Sequence, residues 1–265
     1  MKFILLLAWL TYFAQNAQAA NITAKEIMEK NESARKLLHL TSDAFIATSS
    51  TGGEAKKKSF TWWRKLSTDQ NHYLTLTRFH TPAEVRDEGI LFVEKDAGAS
   101  DVLLYLPTYK KIRRVETQSQ SSSFMSSAFS YSDIASPHVD EYNYSLMSEG
   151  NCPLSPTLQC FVIESAPSTD AVKDKTGYSK SKIWIRQDNF MLEKAENTDL
   201  EGKLWKELLA THNEEVDKAN HKWMALDLKM TDLKSKQVTT LHFSKVNASA
   251  EIEDSTFTQQ KLSHP

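Results

Sequence analysis

The pattern of apolar residues predicts a mainly β chain with few helices, in which one strongly curved antiparallel sheet wraps around the helices that cover it. Three observations carry this prediction. Short runs with period-two alternation recur from Asp43 to Val246. Turn residues such as Gly52-Gly53, Asp188-Asn189 and Gly202 separate those runs at hairpin spacing. Helical periodicity is confined to the N-terminal region and one short later segment. Two helices cannot cover both faces of a flat sheet of many strands, so the sheet must curve around them.

Ile22 to Leu40 places Ile27, Met28, Ala34, Leu37 and Leu38 at helical spacing among charged residues, with Asn21 or Thr23 as cap. Strands then follow. Asp43–Ser49 leads to the Gly52-Gly53 turn. Lys56–Lys65 sets Phe60, Trp62 and Arg64 on one face and Trp63 on the other, and Asn71–Phe79 sets Leu74 and Leu76 opposite Tyr73 and Thr75. Thr81-Pro82 opens a short helix, and Gly89–Glu94 is a further strand. After the central region come Tyr142–Met147, Gln159–Glu164, Lys180–Arg186, Phe190–Asn197, Trp223–Asp232 and Lys236–Val246, and then a polar tail. Trp205–Leu209 fits a strand or a short helix equally.

The most informative stretch is Asp101 to Ile134. Val102–Leu106 is an apolar strand closed by Pro107, which cannot donate to a ladder. The basic run Lys110, Lys111, Ile112, Arg113, Arg114 follows, and then a Ser-rich loop carrying Phe124, Met125, Phe129 and Tyr131. A loop that only connected strands would stay polar. These side chains either dock on the core or cover something that comes and goes.

Met1-Lys2 followed by the apolar run Phe3–Leu10 and Ala17-Gln18-Ala19 reads as a cleaved signal peptide over residues 1–19, because the run is too short to span a bilayer of about 30 Å. Residues 20–265 then form one domain, without linker or internal repeat. Cys152 and Cys160, the only cysteines, lie far from the cleavage site, so no lipid anchor is expected. Cleavage removes one Lys and no acid, leaving 31 basic against 34 acidic residues. That balance gives no pull toward nucleic acid. An even cysteine count in an exported chain reads as one disulfide, Cys152–Cys160.

The order Tyr105-Leu-Pro107, Lys110 to Arg114, then Phe124-Met-Ser-Ser-Ala-Phe-Ser-Tyr-Ser-Asp133 resembles the outer-membrane lipoprotein-sorting (LolA-like) family of periplasmic carriers. Its pattern is Tyr-x-Pro, a Lys/Arg-rich run, and Phe-Met-Gly-Ser-Asp-Phe-Ser-Tyr-x-Asp. Ser126 stands where that pattern has Gly, and Ala128 where it has Asp. Further likeness in YSKSKIWIRQDNFMLEKAE, KWMALDLKM and STFTQQKL extends it from about Phe79 to Leu262. The resemblance implies an unclosed β-barrel of LolA/LolB type covered by an N-terminal helix and short helices or loops. It also implies a monomeric periplasmic carrier that binds the acyl chains of a lipid or lipoprotein beside an RND/MMPL-type exporter.

By alternation, the candidate cavity face comprises Trp62, Leu74, Leu76, Tyr105, Ile183, Ile185, Met224, Leu226 and Leu228, with Phe124 and Met125 as a possible cover. Any one of these would also suit a solid core; the set carries the expectation. Lys110, Lys111, Arg113 and Arg114 are partner-docking candidates or simply a solvated hairpin edge. There is no H-E-x-x-H, G-x-S-x-G, phosphate-binding Gly-rich loop or C-x-x-C, and the eight His are scattered singly. No enzyme, cofactor or metal is therefore expected. The competing reading is an exporter adaptor that holds no cargo; a hydrolase would need Ser, His and acid brought together by the fold.

Overall fold

In the computed structural model the described residues are 22–50, 53–68, 72–95, 100–135 and 137–264. The signal-peptide expectation, the Asn21 cap and the first glycine of the Gly52-Gly53 turn lie outside them. Thirteen strands form one antiparallel sheet. They are β1 (His39–Ser50), β2 (Lys56–Leu66), β3 (Tyr73–Thr81), β4 (Gly89–Glu94), β5 (Ser100–Leu106), β6 (Lys111–Val115), β7 (Tyr142–Asn151), β8 (Gln159–Pro167), β9 (Tyr178–Arg186), β10 (Leu192–Asp199), β11 (Leu204–Asp217), β12 (Lys222–Asp232) and β13 (Gln237–Asn247). Among the described residues four α-helices accompany them: α1 (Ala24–Arg35), α2 (Tyr131–Ile134), α3 (Asp170–Thr176) and α4 (Gln259–Ser263).

The order β6-β5-β4-β3-β2-β1-β13-β12-β11-β10-β9-β8-β7 is two meanders joined where β1 pairs with β13. The sheet is not closed. Its edges, β6 and β7, are consecutive in the chain, so residues 116–141 must bridge the gap between them. β6 protects its open edge with exposed Lys111, Arg113 and Arg114, charges that discourage edge-to-edge pairing.

Several elements differ from the sequence expectation. The N-terminal helix ends at Arg35, not Leu40. Leu37 and Leu40 are buried after the helix has ended, because alternation in HLTSDAFIATSS takes over from His39. The ambiguous segment at Trp205 belongs to the 14-residue strand β11. The basic run, by contrast, forms the edge strand β6 of the β5–β6 hairpin, in line with its reading as a solvated hairpin edge. The tail is not merely polar: Ile252, Phe257 and Leu262 are buried on the outer face of the sheet. Arg78 fixes that tail by donating to the Leu262 carbonyl at 2.7 Å and the Lys261 carbonyl at 3.0 Å. Gly89 lies beneath the tail, and a Cβ there would come within 2.8 Å of Leu262 Cδ1 and 2.9 Å of an Arg78 guanidinium nitrogen, so those side chains would have to shift.

Cys152 and Cys160 form a disulfide across the β7–β8 turn, with Cα atoms 5.0 Å apart. Closing so short a loop contributes about 2.5 kcal/mol in the chain-entropy account. Urea titration with and without reductant should therefore differ by about that amount; equal midpoints would show that the bridge is stability-neutral.

Candidate ligand cavity

Two pieces of chain occupy the inner face of the sheet. The first is α1, started by a reciprocal cap in which Thr23 Oγ1 accepts from Glu26 N and Glu26 accepts from Thr23 N at 2.7 Å. Its Ala24 and Ile27 pack on Phe161, Ile163 and Ile185. Asn31 ties the helix to the β9–β10 turn, donating to the Phe190 carbonyl at 2.6 Å.

The second is the bridging segment itself. It turns inward because its apolar side chains find partners there. Phe124 is fully buried among Phe79, Phe92 and Tyr131, with ring centroids 5.6–6.4 Å apart. The Ala128 amide donates to Thr239 Oγ1 on β13 at 2.9 Å. Ser130 and Asp133 form a reciprocal cap on α2. Asp133 is also the anchor: it accepts from Tyr178 OH at 2.8 Å and from Lys206 Nζ at 3.0 Å, with both charged side chains almost wholly buried. A second buried ion pair, Lys175–Glu141 at 2.9 Å, holds the end of the segment.

Met125 and Ser126 are consecutive left-handed residues, with φ of 52° and 59°, and Lys58 Nζ donates to the Met125 carbonyl between strand and segment. The turn that a glycine would make freely is thus made by Ser126. Ser126→Gly should raise stability by about 0.5–1 kcal/mol, the left-handed penalty less the entropy of glycine. A denaturant midpoint that falls instead would show that the serine hydroxyl has a compensating role.

Between α1, this segment and the sheet lies a cavity of about 700 Å³. Its apolar wall comes from β1, β2, β12 and β13 through Leu40, Trp62, Met224, Leu228, Leu241 and Phe243, and from β9 and β10 through Ile183, Ile185 and Ala195. Tyr73, Tyr142, Tyr144 and Tyr178 also line it. Burial pushes all four phenols above their ordinary value, which keeps them neutral. Arg35, from the last turn of α1, and Arg64, from β2, enter the same wall. The Arg64 guanidinium lies 3.7 Å from the Tyr73 ring centroid.

Of the candidate acyl-binding residues, Trp62, Ile183, Ile185, Met224 and Leu228 line the cavity. Leu226 lies in the adjoining core cluster. Phe124 and Met125 pack into that cluster too, and the segment's contribution to the wall comes instead from Phe129, Asp133 and Ile134. Leu74, Leu76 and Tyr105 are on the other side of the sheet, with Leu91 and under Ile252, Phe257 and Leu262. The reason is register. Leu76 pairs with Trp63 and Thr77 with Trp62, so Leu76 shares the face of Trp63; Leu76 in turn pairs with Leu91, and Leu91 with Leu103, which carries Tyr105 to that face. Lys110, Lys111, Arg113 and Arg114 are exposed at the β6 edge, where Arg114 pairs with Asp101. Arg35, Tyr73 and Tyr144 were not among the sequence candidates. Arg64 shares a face with Trp62 in the alternation of β2, and that was the available signal.

Among the described residues, the one grouping of three potential metal ligands is Cys152, Cys160 and Glu193. Both sulfurs are spent in the disulfide, and Glu193 accepts from the Leu154 amide. His80 and His242 are hydrogen-bonded to Thr61 and Asp227. No helix among the described residues is long and apolar enough to cross a membrane.

A family model described as "Uncharacterized protein" matches residues 71–264. No curated protein matches the chain. Solved structures do. A DUF1329 family protein from Desulfovibrio piger superposes with a TM-score of 0.83 at 24% identity, over 90% of this chain and 97% of that one. A domain from Vibrio parahaemolyticus, provisionally named an outer membrane lipoprotein-sorting protein, gives 0.82 at 22% identity, over 91% and 98%. A LolA superfamily protein from Nitrosomonas europaea gives 0.69 at 21% identity, over 91% and 99%. The unclosed sheet with its inner helix is the LolA-like fold.

Proposed function

We propose, from the premise that the chain belongs to the family whose model, described as "Uncharacterized protein", matches residues 71–264 and has the LolA-like fold, that it is a periplasmic carrier for the acyl chains of a lipid or lipoprotein. The cavity carries this reading. At about 700 Å³ the space lies within the roughly 300–1,000 Å³ of small-molecule sites, and its wall carries the large apolar side chains Trp62, Met224, Leu228, Leu241 and Phe243.

The walls indicate what kind of occupant. Each methylene moved from water to such a surface contributes about 0.8 kcal/mol, while methionine and leucine walls tolerate varied shape. A carrier that must also release its cargo needs that shape-tolerant, non-directional attraction. The work is binding and transfer, without catalysis. Delipidated protein should take up a fluorescent acyl probe, and protein purified from its own periplasm should release a lipid on extraction and mass spectrometry. Absence of both probe uptake and a co-purifying lipid would refute the reading.

Delivery needs a partner, and the exposed side chains of Lys110, Lys111 and Arg113 at the β6 edge suit docking on an acidic surface of an RND/MMPL-type exporter. Lys111→Glu with Arg113→Glu should leave acyl-probe affinity unchanged and abolish in-cell cross-linking to the inner membrane. Retained cross-linking would move the docking surface elsewhere.

A further inference from the structure

The two edges of the sheet are built differently. β6 carries exposed Lys111, Arg113 and Arg114 along its open edge. β7 ends the sheet on the other side and, among the described residues, pairs with β8 alone. From Tyr142 to Asn151 it carries no Lys, Arg or Pro. Its one charged residue, Glu149, is engaged by Gln187, whose Nε2 donates to it at 2.8 Å. Ser145 to Glu149 are all exposed, with Leu146 at 39% and Met147 at 53% among the large apolar side chains left uncovered. An unprotected edge presents a row of backbone N–H and C=O groups, and what matches them is another extended backbone.

The pairing with β8 shows how that edge meets the cavity. Tyr142, Tyr144 and Leu146 alternate on one face of β7, opposite Pro167, Ser165 and Ile163. Ile163 is buried with Ala24 and Ile27 of α1, and Tyr144 packs against the same cluster, so this face is the inner one. Tyr142 and Tyr144 line the cavity, and Leu146 continues their row beyond it. The register then shifts between Leu146 and Ser148, and a bulge of this kind terminates regular pairing. The regular template is therefore Tyr142–Leu146, with Met147 exposed at its end. The Cys152–Cys160 bridge closes the same hairpin. The template is thus held in place before anything binds, which lowers the ordering cost of adding a strand.

We propose that the free edge of β7, from Tyr142 to Leu146, takes up as an added strand the peptide attached to an acyl chain lodged in the cavity. This rests on the carrier reading and specifies its cargo as an acylated polypeptide. The hydrocarbon lies in the space that Tyr142 and Tyr144 line, and the residues joined to it pair with the edge of the same strand. A free lipid would fill the cavity and leave that edge unanswered.

The experiment is calorimetry on the delipidated full chain. Its probes are N-palmitoyl glycinamide, an N-palmitoyl hexapeptide amide of Ser, Thr and Val, and the same hexapeptide acetylated instead. Two further palmitoyl hexapeptides are N-methylated at the odd or at the even residues. Pairing to one edge uses the N–H groups of alternate residues, so only one methylation register blocks it. The palmitoyl hexapeptide should bind at least about tenfold tighter than palmitoyl glycinamide, as a few added strand hydrogen bonds would give. One methylated version should lose that gain and the other keep most of it. Amide exchange should slow at residues 143–146 with the palmitoyl hexapeptide and not with palmitoyl glycinamide. Leu146→Lys with Met147→Lys, which blunts the edge with charge, should remove most of the gain and leave palmitoyl glycinamide affinity within about twofold. Equal affinity for the two unmethylated palmitoyl probes overturns the assignment and leaves the carrier reading standing, as does equal binding of both methylated versions or slowed exchange at another edge. Acetylated hexapeptide that binds as tightly as the palmitoyl one overturns the link to the cavity. Protein that sediments as a dimer with residues 143–146 already protected gives the edge to a second copy and overturns the proposal. Binding of neither palmitoyl probe removes both readings. Should the lysine variant not fold, the wild-type series still decides.

Discussion

Asp133→Ala is expected to destabilise the protein by about 3–5 kcal/mol, the cost of leaving one member of a buried ion pair alone. Lys206 keeps only 3% of its side chain exposed and would lose its carboxylate; Tyr178 would lose its acceptor, and the Ser130 amide its cap. Unlike an exposed ion pair, worth about 0–1 kcal/mol, this one joins the bridging segment to β9 and β11 on the far side of the inner face. At roughly 2–4 °C per kcal/mol for a domain of this size, the melting temperature should fall by about 10 °C. The segment should also become a preferred site of limited proteolysis. The double variant Asp133→Ala, Lys206→Met should recover a large share of the loss, since it no longer strands a cation. A single-variant loss under about 1 kcal/mol, or no recovery in the double, would show that the segment is held by Phe124 and its neighbours alone.

That anchor was half visible in the sequence. The run from Phe124 to Asp133 stands out because apolar residues in a polar loop demand a reason, but its partners Tyr178 and Lys206 come from strands far along the chain. The strands themselves were legible, because alternation is a local property and turn residues mark its ends. Boundaries failed where two periods overlapped. Leu37, Leu38 and Leu40 satisfy helical spacing after Ile27, yet Leu40 also begins an alternating strand, and the strand's pairing with β2 prevails. β6 was legible only as one of two readings, the solvated hairpin edge, because an edge strand needs few apolar residues.

The sheet faces were harder still. Leu74 and Leu76 alternate clearly, but which face they occupy depends on the partner strand. The hairpin register, unbroken from Leu66 opposite Tyr73 to Phe60 opposite Phe79, sets which residue of β2 each one meets. A shift of one residue exchanges the two faces completely. The tail that covers Leu76 gave no warning either, since Ile252, Phe257 and Leu262 follow neither period. Arg35 on α1 and Arg64 on β2 come to line one cavity only once the chain has folded, so local pattern could not contain that.

Filling the cavity should abolish acyl binding without harming the fold. Ile183→Trp and Leu228→Trp place indoles from opposite sides of the wall, β9 and β12, at positions whose side chains are only half-buried because they face open space. In a packed core, such enlargement typically costs about 1–3 kcal/mol through strain. Here the added atoms enter volume that is already present and bury apolar area, so stability should hold or rise by up to about 2 kcal/mol. Binding should move the other way. If each indole excludes three methylenes of a chain, at about 0.8 kcal/mol per methylene the affinity falls by about 60-fold, and the two substitutions together approach complete loss. The opposite signs of the two effects make the pair diagnostic. Variants that lose stability and binding together would mean that the space collapses in solution. Variants that gain stability and bind the acyl probe as before would place the chain outside this cavity.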